Sequence, residues 1–265
     1  MPDFKELSII IVNYRSEQYL KNCVASLFNV LADKIDFEII IVNNDASGQI
    51  TDSLAGLPGI KVINQRQNVG FGAANNLGAR QARGRLFWFL NPDTEIKASI
   101  QGILAAFDKN LTVGIIGPGL VTMNGEVQLW AAGVEADFFD LVRNNLGFPA
   151  SHKIWSSPKS IETAWVSGGA MFVQKEVFEA VGGFDEKFFM YYEDIDLCRR
   201  VRQLGKKVVY HPAVKIKHIG GGSQRDGKTQ KNDYYRSQDH YFQKHYGYFT
   251  TRLVKALRKI FVRQK

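Results

Sequence analysis

The apolar positions in the first third of this chain fall into short continuous runs, each followed by a polar stretch. Residues 7–12, 37–42, 60–63 and 86–90 are such runs, and the last, Leu-Phe-Trp-Phe-Leu, has no polar position at all. Runs of this length bounded by turn residues read as strands, and a fully apolar one as a strand buried on both faces. Between them Leu20, Cys23, Val24 and Leu27 recur at helical spacing, and the segment after Gly70-Phe71-Gly72 continues as a helix to Ala82. Strands alternating with helices predict an α/β fold: a mostly parallel central sheet flanked by helices, with right-handed crossovers. Ligands bind such sheets beyond the carboxyl ends of the strands. The polar ends therefore become candidates: Asn13-Tyr14, Asn43-Asn44-Asp45 running on to Gly48, Asn64-Gln65, and Asn91-Pro92-Asp93-Thr94.

The second half is patterned less evenly. Val113–Val121 reads as a strand interrupted by turn residues, and from 123 to 160 the periodicity fades. Trp130, Phe138, Phe139, Phe148 and Trp155 are scattered there among Gly, Asn, Ser and Pro. Such a segment is either a lid or acceptor-binding loop or a set of short elements. Residues 163–173 form a predicted strand with Gly168-Gly169 at its centre, where glycine marks a bulge or a close approach. A helix over 175–181 stops at Gly182-Gly183. Leu197, Val201 and Leu204 then repeat at helical spacing, which puts Glu193 and Asp194 at a helix start behind the aromatic pair Tyr191-Tyr192. Acids there are stabilised by the free amides and the helix dipole, by about 0.3 to 1 kcal/mol each. Three acids in four positions, with Asp196, are more than a cap requires.

Residues 207–210 and 214–216 predict strands leading to His218 and to Gly220-Gly221-Gly222-Ser223. That histidine is either a hydrogen-bonded structural residue or part of a loop that closes over phosphate. Residues 223–232 read as a polar connector. Beyond it Leu253, Val254, Leu257, Ile260 and Phe261 share one helical face, opposite Arg252, Lys255, Arg258, Lys259 and Arg263. A basic amphipathic helix of this kind either lies in an anionic membrane interface or docks on its own domain. The organisation expected is a main domain over 1–225 and a helical extension over 226–265.

Composition changes little in this picture. With 45% hydrophobic and 23% charged residues among 265, the chain is an ordinary globular one. The net charge of +8 suits nucleotides, anionic lipid or nucleic acid alike, but the basic residues gather in the tail and not among aromatics of one sheet face, so nucleic acid ranks last. The two cysteines, Cys23 and Cys198, sit in helical patterns and are expected in the core of a protein from a reducing compartment. No apolar run approaches the ~20 residues that span a bilayer, and the N-terminus lacks a leader pattern. The expected location is cytoplasmic, with any membrane contact peripheral.

The chemistry rests on Asp93. A carboxylate at the end of a buried strand can hold a divalent cation through oxygen, leaving open positions for a diphosphate; alternatively Asn-Pro-Asp-Thr is only turn chemistry. Gly70-Phe71-Gly72 is not a dinucleotide fingerprint, because Asn75 stands where the third glycine belongs.

Taken in order, Ile11-Val12-Asn13-Tyr14, Val42-Asn43-Asn44, Asn68 through Gly72 with Asn75, Asn91-Pro92-Asp93, Gly168-Gly169-Ala170, Phe184-Asp185-Glu186, Glu193 through Leu197, and His218 with Ser223 resemble glycosyltransferase family 2, particularly its rhamnosyltransferase-like members. The resemblance covers about 7–250. It implies a GT-A fold, a site for a dTDP- or UDP-sugar with L-rhamnose as the implied sugar, an Mg²⁺ or Mn²⁺ ion, and inverting transfer to a cell-surface glycan or polyprenyl-linked acceptor. Val12, Asn13, Tyr14, Asn43, Asn68, Gly72 and Asn75 would line the nucleotide site, with Asn91, Gly168 and Gly169 beside it. Asp93 and His218 would hold the metal. Asp194 would be the general base, supported by Glu193 and Asp196. The family often has Asp where Asn43 stands, a role Asp45 is placed to take, and an acid where Asn91 stands. The other reading is a non-catalytic nucleotide- or carbohydrate-binding module that keeps the fold.

Overall fold

A computed structural model describes residues 5–46, 54, 56–220 and 227–262. Its elements run β1 (Lys5–Asn13), α1 (Glu17–Leu31), β2 (Phe37–Asn43), β3 (Ile60–Asn64), α2 (Phe71–Ala79), β4 (Gly84–Leu90), β5 (Thr94–Ile96), α3 (Gln101–Lys109) and β6 (Val113–Val121). They continue β7 (Ala132–Gly133), α4 (Phe138–Asn145), α5 (His152–Trp155), β8 (Ile161–Glu162), β9 (Trp165–Val166), β10 (Ala170–Gln174), α6 (Lys175–Ala180), α7 (Glu193–Gln203), β11 (Lys207–His218) and α8 (Gly227–Val262). Residues 47–50, which include Ser47 and Gly48, and 221–226, which include Gly221, Gly222 and Ser223, lie outside the described residues, as do 263–265 with Arg263.

The main sheet has the order β3-β2-β1-β4-β10-β6-β11-β5, with β8 beside β11. Its first four strands are parallel, as the alternating pattern predicts. Beyond β4 the sheet is mixed: β10 runs antiparallel to both β4 and β6, and β5 antiparallel to β11. That reversal is what places the turn before β10 at the same edge as the end of β4, with Ala170 opposite Leu90 and the Asn91 amide donating to the Gly169 carbonyl at 2.9 Å. The core is thickest here. Residues 86–90 are at most 1% exposed, and Trp88 stacks on Phe172 with centroids 4.4 Å apart. Cys23 and Cys198 are buried free thiols, as expected.

Several expectations are corrected. The strand expected over 163–173 is two strands in different sheets, because Ser167-Gly168-Gly169 turns between them; β9 pairs with β7 in a separate two-stranded sheet. Val113–Val121 is one uninterrupted buried strand. Its Pro118 lacks an amide to donate, and there the partner strand bulges: the register jumps from His211 opposite Pro118 to Lys215 opposite Gly119. The runs at 207–210 and 214–216 therefore join as one strand. Residues 227–232, expected as connector, already belong to α8.

Helix α8 is two helical segments meeting at Gly247, whose φ of 82° breaks the helix. The second folds back on the first, with Val254 buried and the Arg258 guanidinium donating to Gln238 and Asp239 at 2.7 and 2.6 Å. So the tail docks, but its apolar face is divided, for Leu253 and Ile260 are 55% and 58% exposed. Among the described residues no helix is long and apolar enough to cross a membrane.

Candidate active site

A cavity of about 780 Å³ opens beyond the carboxyl ends of β1 and β4. At one edge three strands end in step, Asn13 beside Asn43 and Asn43 beside Asn64. Their side chains form a ladder: the Asn13 amide donates to Asn43 Oδ1 at 3.2 Å, and the Asn43 amide to Asn64 Oδ1 at 3.1 Å. Asn13 and Asn43 are thereby buried behind the cavity wall, while Val12 and Tyr14 line it. Asp45 pairs with Arg15 at 4.0 Å and does not reach the lining.

The next turn is fastened by Asn44. Its Oδ1 accepts from the Val69 amide at 3.0 Å and its amide donates to Asn68 Oδ1 at 2.9 Å, so that Asn68 faces the cavity. Gly70 is required there: its φ is 91°, and a Cβ would lie 2.5 Å from the Phe189 carbonyl oxygen. Gly72 and Asn75 lie inside α2 and off the lining. Gly72 packs under Phe184 and Glu193, and the Asn75 amide donates to the Phe71 carbonyl at 3.0 Å.

Asn91, Asp93 and His218 converge across the β5–β11 pairing, which sets His218 opposite Thr94. His218 Nε2 is 3.3 Å from Asp93 Oδ1 and 3.3 Å from the Asn91 amide nitrogen. Gln128 orients the ring: its Oε1 lies 2.8 Å from His218 Nδ1, and its amide donates to the His218 carbonyl at 2.9 Å. With Nδ1–H donating to Gln128, Nε2 is the ring nitrogen left beside the Asp93 carboxylate. A neutral imidazole nitrogen and a carboxylate that close form a donor set that a divalent cation bridges. The set is small, for among the described residues no three His, Cys, Asp or Glu side chains converge as a metal cluster.

On another wall, α7 begins after a strained turn. Tyr191 and Tyr192 both have left-handed backbones, φ 69° and 66°, which side chains other than glycine rarely adopt. Helix α8 holds them there: Ser237 donates to the Met190 carbonyl at 2.7 Å and Gln238 to the Tyr192 hydroxyl at 3.0 Å. The turn delivers Glu193 and Asp194 to the cavity. Asp194 accepts from the Gly168 amide at 2.9 Å and the Ile195 amide at 2.8 Å. Burial raises its pKa, and those amides hold it back. Burial and then the Asp194 charge push Glu193 well above the carboxylate range, and its Oε2 has no partner among the described residues.

Asp196 is placed differently from the other two acids. It is fully buried and off the cavity lining, between Lys244 and His245 at 2.7 Å and Arg200 at 2.8 Å. It joins α7 to α8.

Two family models match the chain: "Glycosyl transferase family 2" over residues 8–168 and "Glycosyl transferase family group 2" over residues 89–263. This chain belongs to glycosyl transferase family 2. Among its relatives are a low-salt glycan biosynthesis hexosyltransferase, Agl10, of Haloferax volcanii, 30% identical over 75% of this chain and 62% of that protein. Another is an N-acetylglucosaminyl-diphospho-decaprenol L-rhamnosyltransferase of Mycobacterium tuberculosis, 27% identical over 80% of this chain and 75% of that one. This family 2 chain thus spans less than two thirds of the length of Agl10. Among solved structures, that of GalNAc-T7 with UDP, GalNAc and Mn²⁺ superposes with a TM-score of 0.67 at 18% identity, over 98% of this chain and 55% of that one. The fold is GT-A, with the C-terminal helix added.

Patterning did not single out Gln128, Asp137, Asp140 or Asn144, three of which line the cavity. The last three had a signal: Asp137, Asp140 and Asn144 fall at helical spacing inside the segment 123–160.

Burial opposes ionisation of Asp196, but the His245 hydrogen bond, the Arg200 charge and the Lys244 hydrogen bond outweigh it and hold the carboxyl down at about 2, from 3.8. A depressed folded-state pKa contributes stability that is present above the unfolded value and lost as pH falls through the folded one. Between pH 4 and 2 the wild type should lose roughly 2 kcal/mol from this group. Urea unfolding at stepped pH checks it: Asp196→Asn should be less stable near neutrality and lack that part of the acid dependence.

Proposed function

We propose that this family 2 protein is an inverting transferase that moves a hexose from a pyrimidine nucleoside diphosphate sugar to a saccharide acceptor. The observation that carries the reading is the presence in one cavity of the Asp93–His218 donor pair and the amide-held carboxylate of Asp194. Inverting transfer needs a base at the acceptor hydroxyl and charge neutralisation at the departing diphosphate. Asp194 takes the hydroxyl proton as that oxygen bonds to the anomeric carbon, and the bond from that carbon to the diphosphate oxygen breaks. Its raised pKa makes it a stronger base than an exposed aspartate once ionised. Asp93 and His218 would hold Mg²⁺ or Mn²⁺, which supplies positive charge to the diphosphate. Val12, Tyr14 and Asn68 face the nucleotide, Asn91, Gly168 and Gly169 flank the diphosphate, and the Asn13–Asn43–Asn64 ladder stiffens that edge. Glu193 and Asp196 position α7.

L-rhamnose as the sugar and a polyprenyl-linked acceptor are proposed by analogy with the Mycobacterium tuberculosis L-rhamnosyltransferase. Membrane contact at the inner face follows from the same acceptor and from the second segment of α8, where Phe249, Leu253 and Ile260 are exposed beside Arg252, Lys255 and Lys259. A binding module without catalysis is disfavoured by a carboxylate of raised pKa that lines the same cavity as the donor pair.

Replacing Asp194 with Asn should lower transfer by about 10²- to 10⁴-fold while nucleotide binding persists, as read by product formation and calorimetry on one preparation; unchanged turnover rejects the assignment. Asp93→Ala should erase the difference in nucleotide affinity between Mn²⁺ and chelator, and a wild type indifferent to metal removes that role. Co-sedimentation with phosphatidylglycerol vesicles should weaken in Leu253→Asp and Ile260→Asp, and equal sedimentation of wild type and variants dismisses the membrane contact.

A further inference from the structure

Helix α4 packs Phe138 and Leu141 on the cluster around Tyr192 and Tyr241 but turns a largely polar face to the cavity. A surface helix ordinarily buries its apolar stripe, but here the residues that line the cavity are Asp137, Asp140, Leu141, Asn144 and Asn145, one helical face that is polar at four positions of five. Phe139 and Leu146, on the other side, are 69% and 57% exposed. The inward face is also incompletely bonded. Asp137 caps the helix by accepting from the Asp140 amide at 2.7 Å, and Asn144 donates to Asp140 Oδ2 at 2.9 Å. That leaves Asp140 Oδ1 and Asn144 Oδ1 without a partner among the described residues, although Asp140 is only 9% exposed. Buried oxygens of this kind are costly unless something donates to them.

The face shares its packing with the turn that precedes Glu193 and Asp194. Leu141 of this face and Tyr191 both pack on the apolar cluster that contains Tyr192 and Tyr241, and the Tyr234 ring packs on Tyr191 and Tyr192 at 5.8 and 5.5 Å, immediately before Glu193 and Asp194. Two carboxylates, Asp137 and Asp140, repel a phosphate. Two acceptor oxygens ask for hydroxyl or amide donors. Trp130, half-exposed on the cavity with a left-handed backbone of φ 68°, adds an aromatic ring of the kind that small-molecule sites use against apolar ligand faces.

We propose that the inner face of α4 is the subsite for the acceptor's sugar, in which Asp140 and Asn144 accept hydrogen bonds from hydroxyl or acetamido N–H groups of a neutral glycosyl unit seated against Trp130. This rests on the transfer reading above and adds the chemical class of the acceptor at the point of attack: an uncharged saccharide residue, with any phosphate or lipid of the acceptor outside this face. Asp140 and Asn144 hold the sugar, and Asp194 alone meets the reacting hydroxyl.

Saturation-transfer NMR on the full chain with UDP and the diamagnetic ion Mg²⁺, against the methyl glycosides of N-acetylglucosamine, glucose, galactose and rhamnose, reads this subsite apart from the donor site. At least one glycoside should receive saturation from the wild type, with affinity reduced about tenfold in Asp140→Leu and in Asn144→Leu while the UDP signal is unchanged. Asn144 is only half-buried, so that variant keeps the test open if Asp140→Leu does not fold. Absence of glycoside binding to the wild type, or equal binding in the variants, overturns the subsite. Loss of the UDP signal in the wild type would instead overturn the donor reading, leaving the glycoside measurement to stand.

Discussion

Burying ionisable acids at the start of α7 is the constraint to which the surrounding structure answers. Removal of a carboxylate from water is expensive unless hydrogen bonds or opposite charges replace the solvent. The three acids meet that demand in three ways. Asp194 has two backbone amides, one from its own helix and one from Gly168. Asp196 has three cationic or protonatable side chains, two of them from α8. Glu193 has only its own backbone amide, with Oε2 unpartnered among the described residues, and burial drives its pKa well up. Only the first arrangement leaves a carboxylate that is ionisable, held in place and open to a cavity, which is what a base at a sugar hydroxyl requires.

From this constraint the odd features of the fold acquire reasons. The Gly168 amide is available because the chain turns between β9 and β10 where a continuous strand was expected, and β10 enters antiparallel so that its start lies at the carboxyl edge of β4. The left-handed pair Tyr191-Tyr192 aims α7 at the cavity, and α8 is bonded to that turn through Ser237 and Gln238. The bulge opposite Pro118 lets β11 run on to His218, where the pairing with β5 sets the imidazole beside Asp93. The C-terminal helix is therefore part of the site's support and not an appendage.

The parallel half of the sheet was legible because continuous apolar runs of strand length can be little else, and the convergence of Asp93, Asp194 and His218 on one cavity was legible because each sits at the end or start of a patterned element. Asn43 shows the limit. The family resemblance implied that it lines the nucleotide site, but only the register that aligns Asn13, Asn43 and Asn64 reveals that its amide and carbonyl bond to the neighbouring strand ends. Gln128 was invisible for a similar reason, since its partner is ninety residues away. Helix α4 was missed because apolar periodicity finds helices by their buried stripe, and this one turns its polar face to the cavity.

The central claim is that Asp93 with His218 and Asp194 serve one bound sugar nucleotide. A crystal structure with Mn²⁺ and a non-hydrolysable UDP-sugar tests it most directly. The account predicts the cation bound by Asp93 and His218 Nε2 on the diphosphate, with the Asp194 carboxylate facing the anomeric carbon from the side away from the diphosphate. A cation held elsewhere, or a sugar turned away from Asp194, would contradict it.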